Sequence, residues 1–288
     1  MALPRASTLR AYVAEWPRNQ FFNMAYEEAF FREAREPTLR FWRNDRVVVI
    51  GRLQSPALEV NAAEALRLGV KLVRRFTGGG AVYHDLGNIN YALALPGASM
   101  DVEEAFRLVG EAVAEALRGM GAEAYYRPLN DVEIGGLKVS GLAASRSAEG
   151  VFVHGALLVS SDIEVLWKVL RITQEKLSDK RAIARSRVKR VITLSEALGR
   201  RVEPREVYEA LATSLSRRLG LEIKWDSPSE PELRRALKLY RDRYSRPEWN
   251  LLYTDMVAGS LSREELEALG MIARPDPEQE REVPGVGP

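Results

Sequence analysis

The chain has 288 residues, of which 46% are hydrophobic, so it can bury a substantial core in one or two domains. Lysine and arginine total 42 against 40 acidic residues, and this near balance argues against a dedicated nucleic-acid-binding protein. Cysteine is absent, which excludes disulfides, thiolate metal sites and a thiol nucleophile.

The N-terminus has no apolar run of the signal-peptide type, and no apolar stretch is long enough to cross a membrane. The sequence therefore predicts a cytoplasmic protein with no membrane and no nucleic-acid partner. Its two histidines, His84 and His154, lie far apart in sequence, which argues against a zinc site.

The chain begins with a predicted strand and helix. Alternation of apolar residues indicates a strand over residues 9–15. Apolar residues at helical spacing indicate a helix over residues 20–34, with Glu27 and Glu28 outside its apolar stripe. We expect this helix to cover the core.

Two short β-rich segments follow, over residues 38–42 and 46–50, and the polar turn between them predicts a hairpin. Ser55 and Asn61 are suited to cap two short helices. Residues 70–73 are predicted to be the strand that leads into the most distinctive segment of the sequence.

That segment places Arg74 and Arg75 directly before Gly78, Gly79 and Gly80. Consecutive glycines allow positive φ angles and a close approach of backbone N–H groups to a ligand, and guanidinium groups bind phosphate or carboxylate. The pattern lacks the spacing of a P-loop or of a dinucleotide fold. A tight turn or bulge at a sheet edge is the structural alternative, and the arginine pair favours an anion site.

The glycines are followed by predicted strands over residues 81–83 and 88–95, joined as a hairpin. Asp101 and Glu104 then form a capping-box pattern that opens a helix ending near Gly119.

A second informative block predicts three strands, over residues 130–134, 137–144 and 151–159. Lys138 stands alone among small and apolar residues, so it is either a solvated lysine of an edge strand or a functional cation. Asp131 and His154 are likewise either structural or functional.

The C-terminal part is mainly helical, with predicted helices over residues 204–219 and 229–243 and a short strand over residues 221–225. It begins with a basic run that suits a solvated face, an acidic partner or a phosphate: Lys180, Arg181, Arg185, Arg187, Lys189 and Arg190.

Ser262 and Glu265 predict one more capped helix, closed by Gly270, and the sequence from Pro275 predicts disorder. We expect a catalytic domain over residues 1–255 and a short extension over residues 256–288. Helices and strands intermix without repeats, which predicts an α+β fold with a mixed sheet flanked by helices.

Several of these motifs together resemble the lipoate–protein ligase family. They are residues 74–88 around the glycines, Asn130-Asp131, Lys138-Val139-Ser140-Gly141 and His154-Gly155, with supporting similarity at residues 51–55, 186–188 and 244–250. The similarity covers residues from about 9 to 250. It implies a biotin/lipoate ligase-like fold and an ATP-dependent ligase that forms lipoyl-AMP and transfers the lipoyl group to a lysine of an acceptor lipoyl domain.

The resemblance also implies the site residues. ATP and lipoyl-AMP would be bound by Arg75, by the backbone of Gly80, Ala81, Val82 and Tyr83, and by Lys138, the catalytic cation. Lipoate would contact Lys138, Gly79, His84 and His154. Mg²⁺ is expected with ATP, and Asp131 is its candidate ligand.

The expected acceptors are apo lipoyl domains of 2-oxoacid dehydrogenase complexes or the glycine cleavage H protein. Some relatives carry a further accessory domain after the region of similarity, so we also expect a separate small accessory subunit. Octanoyltransferases of this fold use a cysteine thioester, which this chain lacks. An octanoate or biotin ligase, or a non-catalytic lipoate- or carrier-binding module, remain alternatives.

Overall fold

The computed structural model describes residues 6–171, 191–255, 259 and 261–284. The predicted basic run over residues 180–190 and the similarity at residues 186–188 lie outside them. The described strands are β1 Thr8–Val13, β2 Thr38–Trp42, β3 Val47–Ile50, β4 Lys71–Arg74, β5 Val82–His84, β6 Asn88–Pro96, β7 Ala124–Arg127, β8 Asp131–Ile134, β9 Leu137–Ser147, β10 Gly150–Leu158 and β11 Glu222–Trp225.

The described α-helices are α1 Gln20–Glu33, α2 Pro56–Glu59, α3 Ala62–Arg67, α4 Val102–Gly119, α5 Ile163–Val169, α6 Leu194–Leu198, α7 Pro204–Leu219, α8 Glu230–Leu239, α9 Pro247–Asn250, α10 Arg263–Ile272 and α11 Pro277–Arg281. A π-helical turn, Tyr240–Tyr244, continues α8. Two mixed sheets packed with these helices confirm the predicted α+β class.

The larger sheet has eight strands in the order β11-β1-β2-β6-β10-β9-β8-β7. β1 pairs in parallel with β2 and β11, and the remaining pairs are antiparallel. The hairpin predicted between β8 and β9 is confirmed, with β10 as the next strand.

The smaller sheet has the order β4-β3-β5 and corrects two of the predicted hairpins. β2 and β3 do not pair, because β2 joins the large sheet while β3 pairs with β4 and β5. β5 and β6 likewise belong to different sheets. In both cases the short connection carries the chain from one sheet to the other, and a local pattern of strand, turn and strand does not distinguish this from a hairpin.

Hydrophobic clusters cover the two faces of the large sheet. α4 and α7 pack on one face, against residues such as Leu39, Tyr91 and Val153. α1 and the smaller sheet lie on the other face. α1 is buried nearly all round, including Glu27 and Glu28, so the prediction that these two carboxylates lie outside the buried stripe is wrong. Glu28 is covered by the π-helical turn, where Arg243 and Tyr244 donate to its carboxylate, whereas Glu27 faces the large sheet, where it contacts His154.

Most of the predicted helix ends are confirmed. Asn61 and the capping boxes at Asp101 and Ser262 cap α3, α4 and α10 as predicted. Ser55 makes no side-chain cap bond to α2, and α10 continues through Gly270 to Ile272.

The described part of the segment after Pro275 contains a short helix. This helix is α11, in which Gln279 donates to Arg18 O and Gln20 Oε1, and Val283 joins the core cluster of α1. The polar composition of this segment gives no sign in the sequence that these few side chains anchor it. Within the described residues, no helix combines the length and apolar character needed to span a membrane.

Candidate active site

A partly exposed row of residues in the middle of the large sheet marks the candidate site. Residues in register on adjacent strands point to the same face, so Trp42, Asn90, Ala156, Gly141 and Asp131 form one row across the sheet. Ala156 and Gly141 are partly exposed although their strands are central, whereas Trp42 and Asn90 are buried. The row is therefore the floor of a cleft that is open at β9 and closed at β6.

Lys138 lies at the open end of this floor. Its ammonium is 2.8 Å from Asp131 Oδ1, and its side chain is only partly exposed. A Cβ on Gly141 would stand 2.5 Å from Lys138 Nζ, so the lysine can lie flat across the strand only because position 141 is a glycine. Lys138 is thus a fixed cation within the cleft.

The two residues that follow the undescribed residues 172–190 also contact the backbone of this lysine. Val191 forms an isolated parallel bridge with Lys138, and Ile192 N donates to Lys138 O at 3.0 Å. The backbone of Lys138 is therefore held from both sides.

The predicted glycine loop lies beside the floor. Gly79 has φ of 91°, and a Cβ there would meet Arg75 Nη2 at 2.9 Å and the Cβ of Ala143 at 3.6 Å. Positive φ and the lack of space both favour glycine at this position. The loop therefore packs directly on β9, one row of residues away from Gly141.

Arg75 supports the loop from inside. It is 4% exposed, and its guanidinium donates to Thr77 Oγ1 at 3.1 Å, Gly78 O at 2.6 Å and Gly80 O at 2.8 Å. Burial lowers the pKa of Arg75 to about 10, against the raising effect of the Glu27 carboxylate, so it stays charged at neutral pH. The charged guanidinium strengthens the hydrogen bonds that Arg75 donates to the carbonyl groups of the loop.

Arg74 has a comparable structural role. Its guanidinium donates to Gln54 O at 2.6 Å and Leu252 O at 2.6 Å, and also to the carbonyls of Gly51, Arg52, Trp249 and Asn250. It joins the loop after β3 to the segment after α9. The sequence favours an anionic ligand for the arginine pair. In the structure, both guanidinium groups instead donate to buried loop carbonyls, which also need hydrogen-bond donors.

A chain of hydrogen bonds anchors the loop to the sheet. Thr77 Oγ1 lies 2.8 Å from His154 Nε2, and His154 Nδ1 lies 2.9 Å from Glu27 Oε1. Since Thr77 Oγ1 accepts from Arg75 Nε, its proton is available to His154. Sequence analysis missed Thr77 and Glu27, because a threonine before glycines and a glutamate on a helix have common structural uses.

His84 is fully enclosed at the inner end. Its Nδ1 lies 3.4 Å from Asn44 Nδ2, and its ring packs edge-on against Trp42. Burial, aided by Arg75 and His154, lowers the pKa of His84 to about 3. His84 is therefore neutral and offers no positive charge to a carboxylate or phosphate.

The other predicted nucleotide-binding residues lie where β5 begins. The side chains of Ala81 and Tyr83 are buried in the cluster of α3 and α10, on the side of the small sheet away from Trp42, and Val82 is partly buried. The backbones of Val82 and Tyr83 pair with β3. Among the described residues, no group of three or more histidine, aspartate or glutamate side chains could hold a metal ion.

Comparison with known proteins identifies the family of the chain. Residues 19–216 match the family model of the lipoyl protein ligase A/B catalytic domain. The chain is 36% identical over 255 residues to lipoate-protein ligase A subunit 1 of Thermoplasma acidophilum, covering 84% of this chain and 96% of that relative.

Solved structures give the same result. A bi-partite lipoate protein ligase from Thermoplasma acidophilum superposes with a TM-score of 0.76 at 36% identity, over 85% of this chain and 96% of that one. A lipoate-protein ligase A bound with ATP superposes with a TM-score of 0.75 at 32% identity, over 85% and 98%. The chain therefore belongs to the lipoyl protein ligase A/B catalytic domain family.

Proposed function

We propose that the protein is an ATP-dependent lipoate–protein ligase. The observation that carries the proposal is the Lys138 ammonium, held over Gly141 by Asp131 and placed beside a glycine loop. A fixed cation and a loop rich in backbone donors suit a reaction in which negative charge develops on phosphate and carbonyl oxygens. The names of the relatives, lipoate-protein ligases, support the same activity.

In the first step, a carboxylate oxygen of lipoate attacks the α-phosphorus of ATP. An acyl-phosphate bond forms, the bond to the β-phosphate oxygen breaks, and pyrophosphate leaves. Lys138 brings the carboxylate and the α-phosphate together and stabilises the charge on the pentacoordinate phosphorus.

In the second step, the amine of an acceptor lysine attacks the carbonyl carbon of lipoyl-AMP. An amide bond forms, AMP leaves, and the amine loses a proton. Lys138 stabilises the carbonyl oxygen as it gains charge. No covalent enzyme intermediate is needed, in keeping with the absence of cysteine.

The remaining site residues have more structural roles in this proposal. Arg75 and His154 set the shape of the loop, so that Gly79, Gly80 and the backbone of residues 81–83 meet the nucleotide. His84 forms the neutral inner wall of the lipoate pocket.

Mg²⁺ bound with ATP would neutralise phosphate charge. The donor set fits this ion, because Mg²⁺ is commonly held by one or two carboxylates together with substrate phosphates, and Asp131 places a carboxylate beside Lys138. We propose Asp131 as the protein ligand.

The acceptor is proposed to be a lipoyl domain. The archaeal structural relative is described as a bi-partite ligase with its E2 lipoyl domain, which supports both a lipoyl-domain acceptor and a second ligase polypeptide. 2-Oxoacid dehydrogenase complexes and the glycine cleavage H protein are the proposed sources of acceptors. The ATP requirement suits a cytoplasmic reaction.

The test is to incubate the protein with ATP and each of lipoate, octanoate and biotin, together with an apo lipoyl domain, and in parallel with preformed acyl-adenylates. A mass increase on the acceptor that corresponds to one lipoyl group is expected. Transfer of only octanoate or biotin would assign the alternative ligase activities. No transfer from any acid or adenylate would favour a non-catalytic binding module.

A further inference from the structure

The edge strand β7 carries an arginine that the proposed chemistry does not use. Arg127 pairs in register with Asp131 of β8, so it extends the row across the sheet by one strand beyond Asp131. The alternation along β7 agrees, because Ala124 and Tyr126 pack with the core on the side of α4, whereas Arg127 is exposed. Arg127 therefore lies on the cleft face of the sheet, beyond Lys138 at the open end.

A buried carboxylate holds the Arg127 guanidinium at this edge. The Glu133 side chain is only 3% exposed, and its Oε2 accepts from Tyr125 Oη at 3.0 Å and from Arg127 Nη1 at 3.5 Å. The Arg127 side chain is 57% exposed, and among the described residues it makes no other side-chain hydrogen bond. Since a guanidinium has five N–H donors, most of them face outward and are available to a ligand.

The geometry of the first step directs the leaving group towards this arginine. The proposed lipoate pocket lies on the side of Lys138 where His84 is found, so the carboxylate meets the α-phosphorus from that side. The attacking and leaving oxygens lie roughly in line at a reacting phosphorus, so the β-phosphate departs on the opposite side, over β8 and β7. Asp131, the proposed Mg²⁺ ligand, lies there, and Arg127 is one strand spacing of about 5 Å further on.

We infer that Arg127 binds the β- and γ-phosphates of ATP, the part of the nucleotide that leaves as pyrophosphate. This inference rests on the proposed ligase function. A guanidinium presents paired donors that match phosphate oxygens, and these charge-assisted hydrogen bonds are among the strong ones. Arg127 also stabilises the negative charge that grows on the leaving oxygen as its bond to the α-phosphorus breaks. Glu133 keeps the side chain at the edge of the cleft before ATP arrives.

This role confines Arg127 to the first step of the reaction. AMP and lipoyl-AMP carry only the α-phosphate, which is bound by Lys138, so neither presents a group to Arg127. An arginine that instead bound the acceptor domain would act in the second step. The two roles therefore give opposite results in the same variant.

The test compares the binding of ATP with Mg²⁺ and the binding of AMP by calorimetry, without lipoate so that no reaction occurs. Arg127→Ala should weaken ATP binding at least about 10-fold, because charge-assisted hydrogen bonds to phosphate are lost, and should change AMP binding less than about 2-fold. In the same variant, lipoate-dependent pyrophosphate release at low ATP should fall by a similar factor. Transfer from preformed lipoyl-AMP to a lipoyl domain should keep the wild-type rate.

Matched variants separate this role from a general loss of charge or structure. Arg146→Ala removes another exposed arginine of the same sheet, near the far end of β9, and should leave the binding of ATP and AMP unchanged. Arg127→Lys keeps a cation without the paired donors and should recover part of the ATP affinity. Arg127→Gln replaces Arg127→Ala if the alanine variant does not fold.

The inference is overturned if Arg127→Ala binds ATP as tightly as the wild type, or if it loses affinity for ATP and AMP equally. Slower transfer from lipoyl-AMP with unchanged ATP affinity would overturn it as well, and would assign Arg127 to the acceptor. Failure of the ligase function looks different, since the wild type would then neither release pyrophosphate with lipoate nor transfer the lipoyl group from its adenylate.

Discussion

In the proposed mechanism, Lys138 is the residue on which the chemistry depends most. Its spacing in the sequence left open a solvated lysine on an edge strand, but β9 is an inner strand and the ammonium is held by Asp131 over Gly141. The resemblance to the ligase family identified the residue, and the structure supplies the reason it can act. A flexible surface lysine would lose the orientation that makes a cation useful in a transition state.

We predict that Lys138→Ala lowers lipoate-dependent pyrophosphate release by about 10²-fold or more, because a preorganised charge is lost from the transition state. Transfer from preformed lipoyl-AMP should also fall. Lys224→Ala, at an exposed position on the edge strand β11, is the matched control and should retain wild-type rates. Pyrophosphate release near the wild-type rate in Lys138→Ala would contradict the assignment.

His84 makes the protein sensitive to acid. Its pKa of about 3 in the folded state lies below the ordinary histidine value of 6.5, because burial and the neighbours Arg75 and His154 disfavour its charged form. The unfolded chain therefore binds more protons between these two pKa values. The stability that His84 contributes is fully present above pH 6.5 and is lost progressively as pH falls towards 3.

The prediction is that His84→Gln flattens the pH dependence of folding. Each unit below pH 6.5 should cost the wild type about 1.4 kcal/mol from this one group. Denaturant unfolding at pH 7.5 and 5.0 should then show a loss smaller by up to about 2 kcal/mol in the variant. An equal loss in both proteins would mean that His84 is not buried in its neutral form.

At the scale of elements, capping patterns and strand periodicity allowed most helices and strands to be located from sequence, including α4 with its Asp101 cap. The sequence did not reveal which strands pair among β2, β3, β5 and β6. A short turn between two β-rich segments leads to either a hairpin or a crossing between sheets, and long-range packing decides between them. β5 follows the glycine loop and pairs with β3 in the small sheet, so the error concerned the site itself.

The glycine loop is attached to the sheet through Thr77, and this attachment can be tested. Thr77→Val should weaken nucleotide affinity by about 10-fold, because His154 and Arg75 lose their shared partner and the loop loses its fixed shape. Binding is measured by calorimetry with ATP. Thr38→Val is a matched control, since its buried hydroxyl donates to Glu36 O far from the loop. Equal effects on ATP affinity in both variants would refute the anchoring role.

At the scale of the whole molecule, the described C-terminal segments are integrated with the rest of the chain. The Arg74 side chain donates to the carbonyls of Trp249, Asn250 and Leu252, and Asn250 Oδ1 accepts from Arg74 N at 3.0 Å. α10 packs on α3, and α11 reaches α1. The polar composition after Pro275 is typical of disorder, and a few buried amides and a valine are what dock the described part of this segment.

These contacts place the segment after α9 next to the start of the glycine loop, so a partner that binds there could change the order of the loop. We predict that the protein requires a small accessory subunit for efficient lipoate adenylation, in line with the bi-partite archaeal relative. Adenylation must bring two ligands together in an ordered site, so it should depend on the subunit more strongly than transfer does. Supplied alone, the protein should use preformed lipoyl-AMP at least about 10-fold faster than lipoate with ATP, a ratio that corresponds to about 1.4 kcal/mol of ordering free energy. Both rates are read from the mass of the modified lipoyl domain. Equally fast modification from free lipoate and ATP, with no second polypeptide present, would show that this chain is a self-sufficient ligase.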